Sequence, residues 1–244
     1  MCQEDSHSKG SRIPTGHDVS PQQVKPSGSN IARDIEKWSV KEILGGEVYY
    51  IPNFIDSGLA NEWLEELSRL DTWYHPTLKV YGKDVTQSRS IAAYSTNESL
   101  VVKYSNHVVT MHHTYPPLLT KIQALVEDLV GETFNHVMLN RYKNGEEYIG
   151  KHRDTKENKA IDIIAVQMIV SLSLGAERTF IMTPVKSTLA VQAGVKPQKW
   201  KLANGSLVIM AGRTQDAWKH EIPKEPKIKG ERISLTFRQL IGSG

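Results

Sequence analysis

The chain has 244 residues, 39% of them hydrophobic and 23% charged, with a formal net charge of +3 and a pI near 8.8. That composition excludes a fibrous or low-complexity chain, and the small basic excess permits a nucleic-acid partner without arguing for one. A single cysteine, Cys2, excludes an intramolecular disulfide and any cysteine-rich metal site, no apolar run reaches membrane-spanning length, and no basic-then-apolar leader opens the chain, so an intracellular protein with no membrane contact is expected.

Residues 1 to about 30 are rich in Ser, Gly, Pro and Gln with scarcely any large apolar side chain, so burial cannot repay their ordering entropy. Residues 1–35 are therefore expected to be a disordered polar tail, and 36–244 one domain. Order is expected to begin near Trp38. GEVYYIPNFI (46–55) reads as a strand. DSGLANEWLEELSRL (56–70) reads as a helix capped by Asp56 or Ser57, with Leu59, Trp63, Leu67 and Leu70 at helical spacing. A second helix, PPLLTKIQALVEDLVG (116–131), opens on proline, closes at Gly131 and puts Leu118, Ile122, Leu125 and Leu129 on one face. Beyond residue 134 the pattern changes to short alternating runs: NHVMLNRY, AVQMIVSLSL, RTFIM, GSLVIMA and RISLTFRQL. Such runs, parted by Gly, Asn or Pro, predict a mainly β fold, a barrel or double sheet with the helices flanking it.

Between these runs lies the polar stretch YIGKHRD. Residues two apart on an extended segment point the same way, so His152 and Asp154 present an imidazole and a carboxylate toward one space, a two-ligand bite for a metal. A mononuclear iron(II) oxygenase needs two histidines and one carboxylate on one side of the ion, leaving the opposite positions open. A third ligand must then come from a distant strand. His220, in DAWKHEIP just after the apolar run SLVIMA, is the best placed of the remaining histidines. Taken alone, a His-x-Asp pair is more often a solvated ion pair.

The final strand sharpens the choice. In RISLTFR, Arg232, Ser234, Thr236 and Arg238 share one face and Ile233, Leu235 and Phe237 the other. A planar guanidinium binds carboxylate through two hydrogen bonds and keeps its charge when buried, so two arginines on one face suit a dicarboxylate. The same parity in LNRY adds Asn140 and Tyr142 as inward hydrogen-bonding groups.

The order NRY, HRD, a lone His and then RISLTFR resembles the AlkB family of iron(II)- and 2-oxoglutarate-dependent dioxygenases, over about four fifths of the chain. Through GETFNHVMLNRYKNGEEYIGKHRD, GSLVIM and KVYGK, it is most similar to the branch that repairs duplex DNA. The resemblance implies a double-stranded β-helix, the jelly roll, with iron(II) held by His152, Asp154 and His220. Arg232 would hold the distal carboxylate of 2-oxoglutarate, with Asn140, Tyr142 and Ser234 around it and Arg238 toward the metal. The reaction implied consumes O2, converts 2-oxoglutarate to succinate and hydroxylates an N-methyl group, whose hemiaminal releases formaldehyde and the restored base. A base in duplex DNA must first be flipped out. Tyr81, between Val80 and Lys83, matches the family's finger residue that fills the gap. Arg89, Tyr94, Tyr104 and Arg178 are expected on the substrate side, and Lys186, Lys196, Lys199 and Lys201 near phosphates. The family usually has an acid two residues past the metal Asp, where this chain has Lys156 followed by Glu157, and an Asn where it has Ser234. The resemblance implies oxidative demethylation of 1-methyladenine or 3-methylcytosine in DNA by an intracellular, nuclear monomer. The alternatives are the same chemistry on RNA or on a non-damage base, and a catalytically silent nucleic-acid-binding module.

Overall fold

The alternation in RISLTFR demands an apolar partner on one side of the strand and a polar one on the other. In a computed structural model describing residues 35–80, 82–104, 107–154, 168–186 and 188–240, every residue of that strand is buried. It is therefore a central strand with both faces covered.

In chain order, a 3-10 turn at Glu36–Trp38 precedes β1 (Glu47–Ile51), which Pro52 ends, and α1 (Ser57–Ser68). Strands β2 (Thr77–Val80), β3 (Lys83–Thr86) and β4 (Ser90–Ser95) follow, then the two-residue strands β5 (Lys103–Tyr104), β6 (His107–Val108) and β7 (Met111–His112), and then α2 (Pro117–Val130). The C-terminal half holds β8 (His136–Tyr142), β9 (Ile149–His152), β10 (Met168–Gly175) and β11 (Arg178–Pro184). After these come a one-turn helix α3 (Leu189–Gln192), β12 (Gln198–Leu202), β13 (Ser206–Ala211), a one-turn helix α4 (Thr214–Ala217), β14 (Trp218–Ile222) and β15 (Arg232–Arg238).

Seven strands form one sheet in the order β1-β13-β10-β15-β8-β4-β7, and four form a second in the order β12-β11-β14-β9. The two sheets face each other as a jelly roll, the double-stranded β-helix the sequence led us to expect. One core lies outside the large sheet. There Ile233, Leu235, Phe237, Leu172, Ile209 and Leu139 meet Trp63 and Leu67 of α1 and Leu119, Ile122 and Val126 of α2. Each such side chain, fully buried, contributes about 1.5–3 kcal/mol. A second core between the sheets joins Ile169, Val208 and Met210 to Phe180, Met182, Leu202, Trp218 and Ile222. The polar face of β15 opens onto the space beside it.

Asp56 is the cap of α1, its carboxylate accepting from the Leu59 N–H at 3.0 Å. Gly131 closes α2 at φ 72, a left-handed conformation glycine adopts without strain. The buried face of α2 is rotated from the expected stripe: Leu119 and Val126 are buried and Leu125 is 42% exposed. Apolar residues cover much of this helix, so the sheet it packs on selects the face. The stretch 183–201, whose Lys186, Lys196, Lys199 and Lys201 are expected near phosphates, carries the end of β11, α3 and most of β12, where Trp200 opposite Phe180 secures the edge of the small sheet. The expected disordered tail falls almost wholly outside the described residues.

Candidate metal and cosubstrate site

His152 ends β9 and His220 stands opposite it on β14. The register between these strands shifts between His220 and Ile222, because Ile222 pairs with Ile149. One extra residue is thus accommodated on β9 beside Gly150, and a bulge of this kind re-aims the side chains next to it. The His152 Nδ1 lies 2.8 Å from the Gly150 carbonyl, which accepts its proton and leaves Nε2 to face inward. Asp154 lies beyond the end of β9 and is fixed by its backbone N–H, which donates to Gln215 Oε1 at 3.0 Å.

Asp154 Oδ1 is 3.3 Å from His152 Nε2 and 3.7 Å from His220 Nε2, and the two imidazole rings are 4.3 Å apart. One ligand atom from each residue falls within 4.8 Å of the others, close enough for a single ion to touch all three. Burial alone would raise the Asp154 carboxyl, but Arg238, with Nη2 3.1 Å from Oδ1, and then His220 and His152 outweigh it and hold the group well below the usual carboxylate range. Burial pushes His220 down to about 3, with His152 and Arg238 adding to the effect and Asp154 opposing it. The site therefore offers one carboxylate and two imidazoles, the donor set suited to a divalent transition metal. The His220 Nδ1 is buried with no hydrogen-bond partner among the described residues.

A cavity of about 540 Å³ runs from these three residues between the sheets to the β2–β3 hairpin, a size suited to small molecules. Its polar wall is the inward face of β8 and β15: Asn140, Tyr142, Arg232, Ser234, Thr236 and Arg238. Arg232 is 2% exposed; its Nη2 donates to Ser173 Oγ at 2.9 Å, while Nε and Nη1 have no hydrogen-bond partner among the described residues. Burial pushes its pKa down to about 10, Tyr142 pulling back and Arg178 adding to the fall, so it stays charged at neutral pH. Two donor nitrogens without partners, on a buried cation that lines a cavity, are the complement of a carboxylate. The residues present thus fit both a metal and a dicarboxylate.

Toward the mouth, Arg89 Nε donates to Asn140 Oδ1 at 2.8 Å and its Nη1 to Gln87 Oε1 at 2.9 Å, which joins the two polar groups into one rim. Other expected substrate residues lie elsewhere. Tyr94 is buried on the helix side of β4, its hydroxyl 2.7 Å from Thr72 Oγ1 and its ring against Tyr115, because strand parity turns it away from the cavity. Arg178 is also absent from the cavity wall: four acceptors hold it in the protein interior. Lys83 is exposed on the hairpin, and Lys186, Lys196, Lys199 and Lys201 are exposed on the small-sheet side. Tyr81, Lys156 and Glu157 lie outside the described residues, as do the side chains of Val80 and Tyr104. Sequence reasoning missed Gln215, which positions Asp154, and Ser173, which braces Arg232. It also missed His107 of the cavity wall, whose Nε2 is buried without a hydrogen-bond partner among the described residues. Only the nearness of Gln215 to His220 in TQDAWKH hinted at its place.

Residues 47–238 match the model of the 2OG-Fe(II) oxygenase superfamily. The DNA oxidative demethylase ALKBH2 of Arabidopsis thaliana is 29% identical over 81% of this chain and 67% of its own. The alpha-ketoglutarate-dependent dioxygenase alkB homolog 3 of Homo sapiens is 32% identical over 77% of this chain and 64% of its own, so the chain spans about two thirds of such relatives. The solved structure of OsALKBH1 superposes with a TM-score of 0.53 at 17% identity, covering 79% of this chain and 97% of that one, a likeness of fold. With two histidines, a carboxylate and a buried arginine around one cavity, these matches identify the chain as a member of the AlkB family of the 2OG-Fe(II) oxygenase superfamily, whose cofactors are iron(II), 2-oxoglutarate and O2.

Proposed function

We propose that the protein is an oxidative demethylase of N-alkylated bases in DNA, of the 1-methyladenine and 3-methylcytosine type, and that it works as a monomer on nuclear DNA. The observation that carries the reading is the layout of the cavity. The His152, Asp154 and His220 cluster lies in the same cavity as Arg232, whose Nε and Nη1 have no partner among the described residues, and Pro76, Leu78 and Gln87 of the hairpin region line its other end. The names of the ALKBH2 relatives support the choice of substrate.

His152, Asp154 and His220 would hold iron(II), which would supply the redox chemistry with O2. Arg232, with Nε and Nη1 unpartnered among the described residues, would hold the distal carboxylate of 2-oxoglutarate. Arg238 holds Asp154 ionised, and Met138, Ile91 and Phe180 add apolar surface to the cavity wall that would help to exclude water. With these groups bound, the net reaction would pass one oxygen atom of O2 to succinate with loss of CO2 from 2-oxoglutarate and the other to an N-methyl group, which would leave as formaldehyde and return the base. A base paired in a duplex must be flipped to arrive, and Tyr81 is suited to fill the space it leaves.

The test is purified protein with iron(II), ascorbate and 2-oxoglutarate on methylated duplex DNA, single-stranded DNA and RNA oligonucleotides, read by mass spectrometry. Loss of the methyl from DNA is expected. Loss from RNA alone would move the reading to RNA, and binding without any methyl loss would leave a silent binding module.

A further inference from the structure

We infer that Arg178 is a positioning residue of the cosubstrate pocket, fixing the Tyr142 ring and through it Arg232 although it does not line the cavity. The inference rests on the reading of Arg232 as the carboxylate-binding cation.

Arg178 begins β11 at 1% exposure, and all three of its guanidinium nitrogens donate hydrogen bonds. Nη1 donates to the Asn144 carbonyl at 3.2 Å, Nη2 to the carbonyls of Glu147 at 2.9 Å and Pro223 at 2.6 Å, and Nε to the Glu225 carboxylate at 3.3 Å. These acceptors lie in two connections: one leads from Tyr142 to His152, the other from His220 to Arg232. The same connections are zipped by Gly145 N–H to the Ile228 carbonyl at 2.8 Å and Glu225 N–H to the Gly145 carbonyl at 2.7 Å, so closely that a Cβ at Gly145 would strike the Glu225 carbonyl. Glu225 is itself clamped by Thr179 and Lys201; burial resists its ionisation, but these bonds pull its pKa down to about 2.

What this fastener holds is Tyr142. The Arg178 guanidinium sits 5.5 Å from that ring's centroid and the Arg232 guanidinium 5.3 Å from it, and Tyr142 faces Arg232 in the β8–β15 register. Two cations sharing one ring oppose each other, as the contribution of Arg178 to the lowered pKa of Arg232 shows. The electron-rich ring offsets part of that repulsion. A neutral donor could fasten the loops without this cost; a stacked guanidinium both fastens them and locks the ring that backs Arg232. Without Arg178 the ring can turn, and the Arg232 fork loses a fixed orientation toward the cavity.

The experiment titrates 2-oxoglutarate calorimetrically into manganese(II)-loaded wild type, Arg178→Met, Arg178→Lys, Tyr142→Ala and the Arg178→Met/Tyr142→Ala double variant, with manganese(II) affinity measured in parallel. Arg178→Met is expected to weaken 2-oxoglutarate binding tenfold or more with manganese(II) affinity within twofold. The double variant should bind no more weakly than Tyr142→Ala, because both changes remove one effect. Additive losses, or unchanged 2-oxoglutarate affinity, would overturn the inference. If Arg178→Met fails to fold, Arg178→Lys, which keeps the charge but not the fork, decides by the same two affinities. A wild type that takes up no 2-oxoglutarate would sink the cosubstrate reading itself, whereas normal wild-type uptake with unmoved variants sinks only the role of Arg178.

Discussion

Replacing Arg232 with lysine tests the cosubstrate end of the cavity while conserving charge. In the wild type, Nη2 is committed to Ser173 and two further donors, Nε and Nη1, remain for a ligand. A lysine ammonium at the same depth can present one hydrogen bond along the direction where the fork presents two. Losing one charge-assisted bond costs about 1.5–3 kcal/mol, and at 2% exposure little water can replace it. The dissociation constant of 2-oxoglutarate should therefore rise about 10- to 150-fold. Arg232 and Arg238 stand at opposite ends of β15, so the metal ligands beside Arg238 are left in place and metal affinity should hold. Calorimetric titration of 2-oxoglutarate into the manganese(II)-loaded variant reads both numbers. An unchanged 2-oxoglutarate constant would refute the assignment of the carboxylate to Arg232, and equal losses of metal and 2-oxoglutarate would show a fold defect in place of a binding one.

His152→Ala or Asp154→Ala removes one of three ligands and should abolish succinate formation and weaken metal uptake by tenfold or more; turnover retained in either variant would break the metal assignment. Burial and then Arg238 lower His136 to about 3, while the unfolded chain protonates its histidines near 6.5. The unfolded state thus binds the extra proton below about pH 6.5, so metal-free protein should lose stability by up to about 1.4 kcal/mol per pH unit for this residue as pH falls toward 4. Urea midpoints should decline less steeply in His136→Phe, and parallel slopes would discount His136. Tyr81→Ala removes a stacking group worth about 1–3 kcal/mol, so demethylation in duplex DNA should slow about tenfold or more with the single-strand rate held; equal slowing on both substrates would point to a folding defect and count against the finger role.

The sequence by itself determined what depends on local periodicity. Alternation in RISLTFR and NHVMLNRY placed Arg232, Ser234, Arg238, Asn140 and Tyr142 on inward faces, and helical spacing with an Asp56 cap located α1, because side-chain direction follows backbone period without reference to distant chain. Tertiary structure decided whatever needed a partner far along the chain. Only the β9–β14 pairing brings His220 to His152, 68 residues before it, and only a bulge beside Gly150 aims His152, since strand register is a property of two segments together. The resemblance implies a substrate role for Tyr94, but parity alone does not say which side of β4 faces the cavity, and the structure buries Tyr94 against Thr72 and Tyr115. Nor could one arginine's residue type show that Arg178 would be spent on three carbonyls and a carboxylate from loops that sequence leaves unrelated. The α2 face followed the same rule: several apolar stripes were available, and the sheet beneath the helix selected among them because burial is won only where a complementary surface exists.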